Sequence, residues 1–134
     1  MNSITLHPIG ILRCQLTSAA QTPKSFKEST EPGVITIDEA YLNGLEGIEI
    51  GDTIIVLFWF DRANRSLLRV HPRGDSTRPK QGVFSTRSPA RPNPIAISEL
   101  TVTDIKTNTI SVIGVDALDK TPVLDIKKNL YRKE

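Results

Sequence analysis

The apolar residues of this chain come in short bursts, and that limits the folds open to it. Eight runs are rich in branched or aromatic residues: Thr5 to Leu12, Val34 to Ile37, Thr53 to Phe60, Ser66 to His71, Gly82 to Ser85, Ile95 to Thr103, Thr109 to Val115 and Val123 to Ile126. Turn residues separate them, and such runs suit strands, whose pleated surface packs branched side chains well. Alternation is clearest from Ile95 to Val102, where one face can be buried and the other wetted. Asn108 and its neighbours fit a hairpin turn joining that strand to the next. The spacing is that of an antiparallel barrel or sandwich, and closure is favoured because it removes exposed strand edges. The expected fold is mainly β, an antiparallel β-barrel with one short helix and long ordered loops.

The one plausible helix starts where Asp38 can cap Glu39-Ala40-Tyr41-Leu42 and stops at Asn43-Gly44. At barely a turn and a half, it must be held by packing. Gln15 to Pro32 is polar and interrupted by Pro23 and Pro32, so it reads as a loop. Pro72 to Pro94 holds five of the nine prolines. Proline removes a backbone donor and fixes φ, so this stretch cannot be regular strand or helix throughout. A long ordered loop of that kind usually carries function.

A chain of 134 residues is one domain's worth, and residues 1–134 are read as a single domain. Its 38% apolar and 24% charged content argues against disorder. The longest unbroken apolar run, Ile54 to Phe60, spans a strand and not a bilayer. The first residues lack the basic and apolar regions of a secretory signal, and the lone Cys14 has no internal disulfide partner. The expected location is cytoplasmic.

Net charge is only +2, but its distribution is uneven. From Arg62 to Arg91, Arg62, Arg65, Arg69, Arg73, Arg78, Lys80, Arg87 and Arg91 face a single acid, Asp75. Two readings stay open: a surface for phosphates, or a solvated loop whose arginines find carboxylates elsewhere. No Gly-rich loop joins a strand to a helix, so neither a P-loop nor a Rossmann site is supported. One cysteine with the separated His7 and His71 gives no zinc pattern. His71, at a strand end beside Pro72, is either a polar strand-end residue or a proton-transfer group.

Two segments carry chemistry. In Gly82-Val83-Phe84-Ser85-Thr86-Arg87-Ser88-Pro89-Ala90-Arg91-Pro92-Asn93-Pro94-Ile95, two arginines four apart sit in a proline-stiffened backbone. Preorganised guanidinium forks of this kind suit carboxylate or phosphate oxygens, although they could instead bind backbone carbonyls in a rigid turn. Asn93 lies between two prolines, so its amide is aimed. The second segment is Asp116-Ala117-Leu118-Asp119-Lys120-Thr121-Pro122-Val123-Leu124-Asp125-Ile126-Lys127. Asp125 there stands among apolar residues and needs a partner, either Arg87 or Arg91, or else a ligand.

Together these two segments resemble the TrmO (YaeB, TsaA-like) family. Leu6-His7-Pro8-Ile9-Gly10-Ile11, Pro32-Gly33-Val34 and Gly44-Leu45-Glu46-Gly47 fall in that family's order, so the resemblance covers essentially the whole chain. It implies a single-sheet TsaA-like β-barrel that binds S-adenosylmethionine, and a homodimer with the pocket near the subunit interface. The implied reaction is methylation of N6 of a threonylcarbamoyl-adenosine beside the anticodon of a threonine tRNA. The implied cofactor residues are Pro32, Gly33, Val34, Asp61, Arg62, Arg87, Ile97, Asp116, Ala117, Leu118 and Asp119. The chain departs from the family pattern at Asp61, where histidine is frequent, and at Ala96 and Lys120, where glycine is usual. Lys128-Asn129 likewise replaces Pro-Tyr.

On this reading, positioning supplies much of the rate of methyl transfer. The urea-like acceptor nitrogen is a weak nucleophile, so a base or an anion-stabilising donor is required. Arg91 and Asn93 would orient the substrate's carboxylate and carbamoyl oxygens, while Asp125 orders the arginines or accepts the proton. Arg62, Arg65, Arg69, Arg73 and Arg78 would hold the tRNA backbone. The alternatives are the same barrel methylating a small molecule, and a non-enzymatic barrel that binds nucleic acid. Low aromatic content, 5%, counts against a single-strand binder, with only Phe84 inside the arginine–proline loop.

Overall fold

A computed structural model describes residues 2–18, 21–23, 27 and 29–130. Eight strands follow in order: β1 (Gly10–Cys14), β2 (Pro32–Ile37), β3 (Thr53–Trp59), β4 (Arg69–Val70), β5 (Gln81–Gly82), β6 (Ile95–Lys106), β7 (Thr109–Ile113) and β8 (Pro122–Lys128). Six of them close a barrel in the order β1-β2-β7-β6-β3-β8, and β4 and β5 form a separate two-stranded ribbon. Every barrel pairing with a defined register is antiparallel. The mainly β barrel expected from the patterning is therefore the fold. The chain divides into two compact units, the described residues up to Phe58 and from Ile97 onward, and Trp59–Ala96.

Period-2 patterning builds the barrel core. Ile54, Val56 and Phe58 of β3 are buried while Ile55 and Leu57 are half-buried, so alternate side chains of this all-apolar run point inward. Leu12, Ile35, Ile37, Leu100, Val102, Ile110, Val112 and Val123 complete the interior. Burying each such side chain contributes roughly 1.5–3 kcal/mol relative to exposure. Ser98 and Thr121 are the buried polar residues among those described. The expected hairpin turn is present: β6 and β7 pair Lys106 with Thr109, which leaves Thr107 and Asn108 as a two-residue loop.

Differences from expectation lie in exposed or irregular stretches. Glu39–Leu45 is a 3-10 helix rather than an α-helix, and none of its residues is buried. Asp38 caps it as expected, its carboxylate accepting the Ala40 N–H at 3.0 Å. Capping and three-residue spacing hold this helix, with Leu42 and Leu45 half-buried on one face. Where Ser66 to His71 was expected as a strand, only Arg69–Val70 pairs, and Val83–Ser85 becomes a 3-10 turn. Gln15 to Pro32 contains no strand before Pro32 among its described residues, and positions 19, 20, 24–26 and 28 of that loop lie outside them.

Candidate active site

Antiparallel closure gathers a set of strand ends. The C-terminal ends of β1, β7 and β3 and the N-terminal ends of β2, β6 and β8 all lie at one end of the barrel. Pro32, Gly33 and Val34 open β2 there, opposite Ile113, Val112 and Ser111 of β7. The Glu31 carbonyl accepts the N–H groups of both Gly114 and Val115, at 2.9 and 3.0 Å, which turns the chain after β7 toward Asp116. Gly33 is required by close packing: a Cβ there would stand 2.8 Å from Val115 Cγ2 and 3.2 Å from the Arg13 carbonyl oxygen.

The Asp116–Asp119 turn is fastened from three sides. Buried Ser98 donates its hydroxyl to Asp116 Oδ1 at 2.6 Å, a short charge-assisted bond. The Cys14 N–H donates to Asp119 Oδ1 at 3.0 Å, and Cys14 Sγ donates to the Ala117 carbonyl at 3.3 Å. Thr121 Oγ1 donates to the Leu118 carbonyl at 2.7 Å. Lys120 sits at φ 69°, a left-handed position that suits glycine. Ile97, the residue before Ser98, points to the opposite face and is 44% exposed. The barrel unit thus brings Pro32–Val34, Ile97 and Asp116–Asp119 to one end. Asp125, on β8 opposite Leu57, pairs with Lys127 Nζ at 3.2 Å and accepts the Ile126 N–H. Its carboxylate is half-exposed rather than enclosed by apolar groups.

Within Trp59–Ala96 the Asn64–Arg65 turn clamps the arginine–proline turn. The Arg91 N–H donates to the Asn64 carbonyl at 3.1 Å, and Arg65 Nε donates to the Pro92 carbonyl at 2.8 Å. Arg65 Nη2 reaches Asn93 Oδ1 at 3.5 Å, and its guanidinium carbon lies 5.1 Å from the centroid of the Trp59 ring. Asn93 is exposed, and with Oδ1 engaged by Arg65 its amide nitrogen remains as a donor. Arg91 Nη1 donates to the carbonyls of Thr86 and Ser88, at 3.3 and 2.9 Å, and so braces the backbone on either side of exposed Arg87. Binding of main-chain carbonyls, one of the two uses expected for Arg87 and Arg91, is thus realised by Arg91, and Arg65, outside that pair, makes the same kind of contact. Asp61 and Arg62 form an exposed pair at 3.5 Å.

The remaining charged groups shape the same unit. His71 Nδ1 lies 2.8 Å from the Arg78 carbonyl, fastening the strand end to the loop that follows. The hydroxyl and backbone N–H of Thr77 hold Asp75 below the usual carboxylate value, with Arg78 and His71 adding to the effect. Sequence reading missed Ser98, Cys14 and the Asn64–Arg65 clamp. Of these only Ser98 had a signal, as a hydroxyl at the inward parity of an alternating strand.

The barrel unit defines the class by its fold: a closed antiparallel β-barrel of six strands. The model of the tRNA-methyltransferase O N-terminal domain matches residues 11–132, and the chain belongs to that family. It is 41% identical over 123 residues to an S-adenosyl-L-methionine-binding protein of Archaeoglobus fulgidus, covering 92% of this chain and 87% of that one. A probable S-adenosyl-L-methionine-binding protein of Methanothermobacter thermautotrophicus is 40% identical, covering 92% and 88%. The crystal structure of TrmO from Pseudomonas aeruginosa superposes with a TM-score of 0.77 at 27% identity, over 96% of this chain. This chain spans 57% of that TrmO's length.

Proposed function

We propose that this protein is an S-adenosylmethionine-dependent methyltransferase acting on tRNA, and that its acceptor is N6 of a threonylcarbamoyl-adenosine beside the anticodon. Family membership and the names of the relatives support the cofactor and the substrate class. The observation that carries the reading is the clamped Arg91–Pro92–Asn93 turn, whose aimed donors suit a carbamoyl oxygen. We propose further that the protein works in the cytoplasm as a homodimer.

The barrel end fits the cofactor chemically. S-adenosylmethionine combines a sulfonium cation, an amino-acid end, a ribose and an adenine ring with flat apolar faces. A carboxylate fixed by a buried hydroxyl (Asp116 with Ser98) and an exposed aliphatic side chain (Ile97) are complementary to those parts. In this reading Pro32, Gly33, Val34, Ile97, Asp116, Ala117, Leu118 and Asp119 of the barrel unit hold it. Asp119 Oδ1 is committed to the Cys14 N–H, so it shapes the turn. When bound, S-adenosylmethionine supplies an electrophilic methyl group.

The rest falls to the chain's own groups. A urea-like nitrogen becomes nucleophilic only as its proton leaves, and negative charge then builds on the carbamoyl oxygen. The Asn93 amide and the Arg91 guanidinium are the donors we assign to that oxygen and to the substrate carboxylate, because preorganised donors stabilise developing charge best. Asp125, whose carboxylate lies 3.2 Å from Lys127 Nζ, is the group we assign as proton acceptor.

The test is mass spectrometry of threonine tRNA carrying threonylcarbamoyl-adenosine after incubation with the protein and S-adenosylmethionine. A methyl gain on that nucleoside is the expected result. Calorimetric binding of the cofactor with no tRNA product would move the acceptor to a small molecule, and no binding would leave only a nucleic-acid barrel. Asn93→Ala separates roles better than Arg91→Ala, because Arg91 also braces the backbone around Arg87. It should lower turnover by about 10²-fold or more with cofactor affinity unchanged.

A further inference from the structure

Phenylalanine is normally driven inside, yet Phe84 is 80% exposed while its neighbour Val83 is 1% exposed. Nothing about the turn is loose. The Val83 N–H donates to the Leu68 carbonyl at 2.9 Å, and the Val83 carbonyl accepts the Thr86 N–H and hydroxyl at 3.1 and 2.9 Å. Ser85 Oγ closes the turn on the Gly82 carbonyl at 2.8 Å. Val83 is the anchor, and Phe84 is held outward on a preorganised backbone. Leu68, whose carbonyl receives the Val83 N–H, is likewise 61% exposed.

The surroundings indicate what covers this ring. Trp59–Ala96 carries eight basic residues against Asp61 and Asp75. Arg62 engages Asp61, and Thr77 engages Asp75. An occupant must therefore combine negative charge with a flat apolar face. Unpaired nucleotides do so, since each base offers a π-face and each linkage a phosphate. A second copy docking through this face would bring its own arginines against these, which disfavours a symmetric contact here.

We infer that Phe84 is a stacking platform for an unpaired base of the tRNA substrate, a step that rests on the tRNA reading and deepens it. Stacking tolerates any base, so Phe84 contributes affinity and register, while the donors of the Arg91–Asn93 turn select the modified nucleoside.

The experiment is fluorescence anisotropy with a labelled anticodon stem-loop RNA at several salt concentrations, using wild type, Phe84→Ala and Phe84→Tyr. Calorimetry with S-adenosylmethionine and sedimentation of each protein accompany it. Phe84→Ala should weaken RNA binding by about 5- to 150-fold, and Phe84→Tyr should stay within a few-fold of wild type. The log–log salt slope should not change, because no phosphate contact is lost. Cofactor binding and oligomeric state should also match wild type. Equal RNA affinity of wild type and Phe84→Ala overturns the inference and leaves the tRNA reading standing. So does a change of oligomeric state in Phe84→Ala, which would place a second copy on the ring. A wild-type protein that binds the cofactor but not the RNA overturns the tRNA reading itself, and the inference with it.

Discussion

Replacing Ser98 with alanine tests how the barrel holds Asp116. The hydroxyl is 1% exposed and donates to the carboxylate at 2.6 Å. A hydrogen bond to a charged group contributes about 1.5–3 kcal/mol net. Asp116 is only half-buried, so water can replace part of the lost donor, which favours the lower half of that range. The cavity is the volume of one oxygen and adds little. A loss of about 2 kcal/mol lowers the melting temperature of a domain this size by roughly 7 °C. Thermal unfolding by circular dichroism reads this shift, and urea unfolding should give the same loss with an unchanged slope. If Asp116 contacts the cofactor, S-adenosylmethionine binding should weaken in the same variant. A melting temperature within a degree of wild type would refute the idea that this bond fixes the turn.

Other outcomes follow from the same geometry. Gly33→Ala drives a methyl group against Val115 and should cost about 1–3 kcal/mol, read from the urea midpoint. Arg65→Ala should cut methylation by up to about 10²-fold by loosening Pro92 and Asn93. Arg65→Lys should not rescue it, because an ammonium cannot make the forked contact. Trp59 is the sole tryptophan, so its emission should shift in Arg65→Ala, and an unmoved spectrum would argue against the stacking. Asp52 is held below its usual value of 3.8, chiefly by the Glu49 N–H and also by Lys128. Its folded pKa is depressed, so its contribution is full above 3.8 and is lost as pH falls through the folded value. The melting-temperature gap between wild type and Asp52→Asn should hold steady near neutrality and close in that acid window.

Much of the barrel was legible because branched residues at period 2 have few other uses. Each of the eight apolar runs overlaps one observed strand. The poorest matches are Ser66 to His71, where no residue is buried, and Gly82 to Ser85, where Val83 alone is buried and no alternating face enforces pairing. β1 was placed too early: Pro8 lacks an N–H, and the ladder with β2 runs from Gly10 to Cys14. The arginine–proline turn was visible as a motif, but its clamp was not. Arg65 reaches residues 27 and 28 positions away, and no local pattern encodes that. Asp125 was expected to lie among apolar neighbours, but the strand's outward side there leaves it beside Lys127.

Barrel closure has a consequence for assembly. The six main strands form a continuous ring and offer no unpaired strand onto which a foreign strand could be added. The two-stranded ribbon β4–β5 is the exception among the described elements, with backbone groups still available along its rims. Any copy or partner that grips the ring must do so through side chains, so its recognition can be altered by point substitutions that leave the ladder intact.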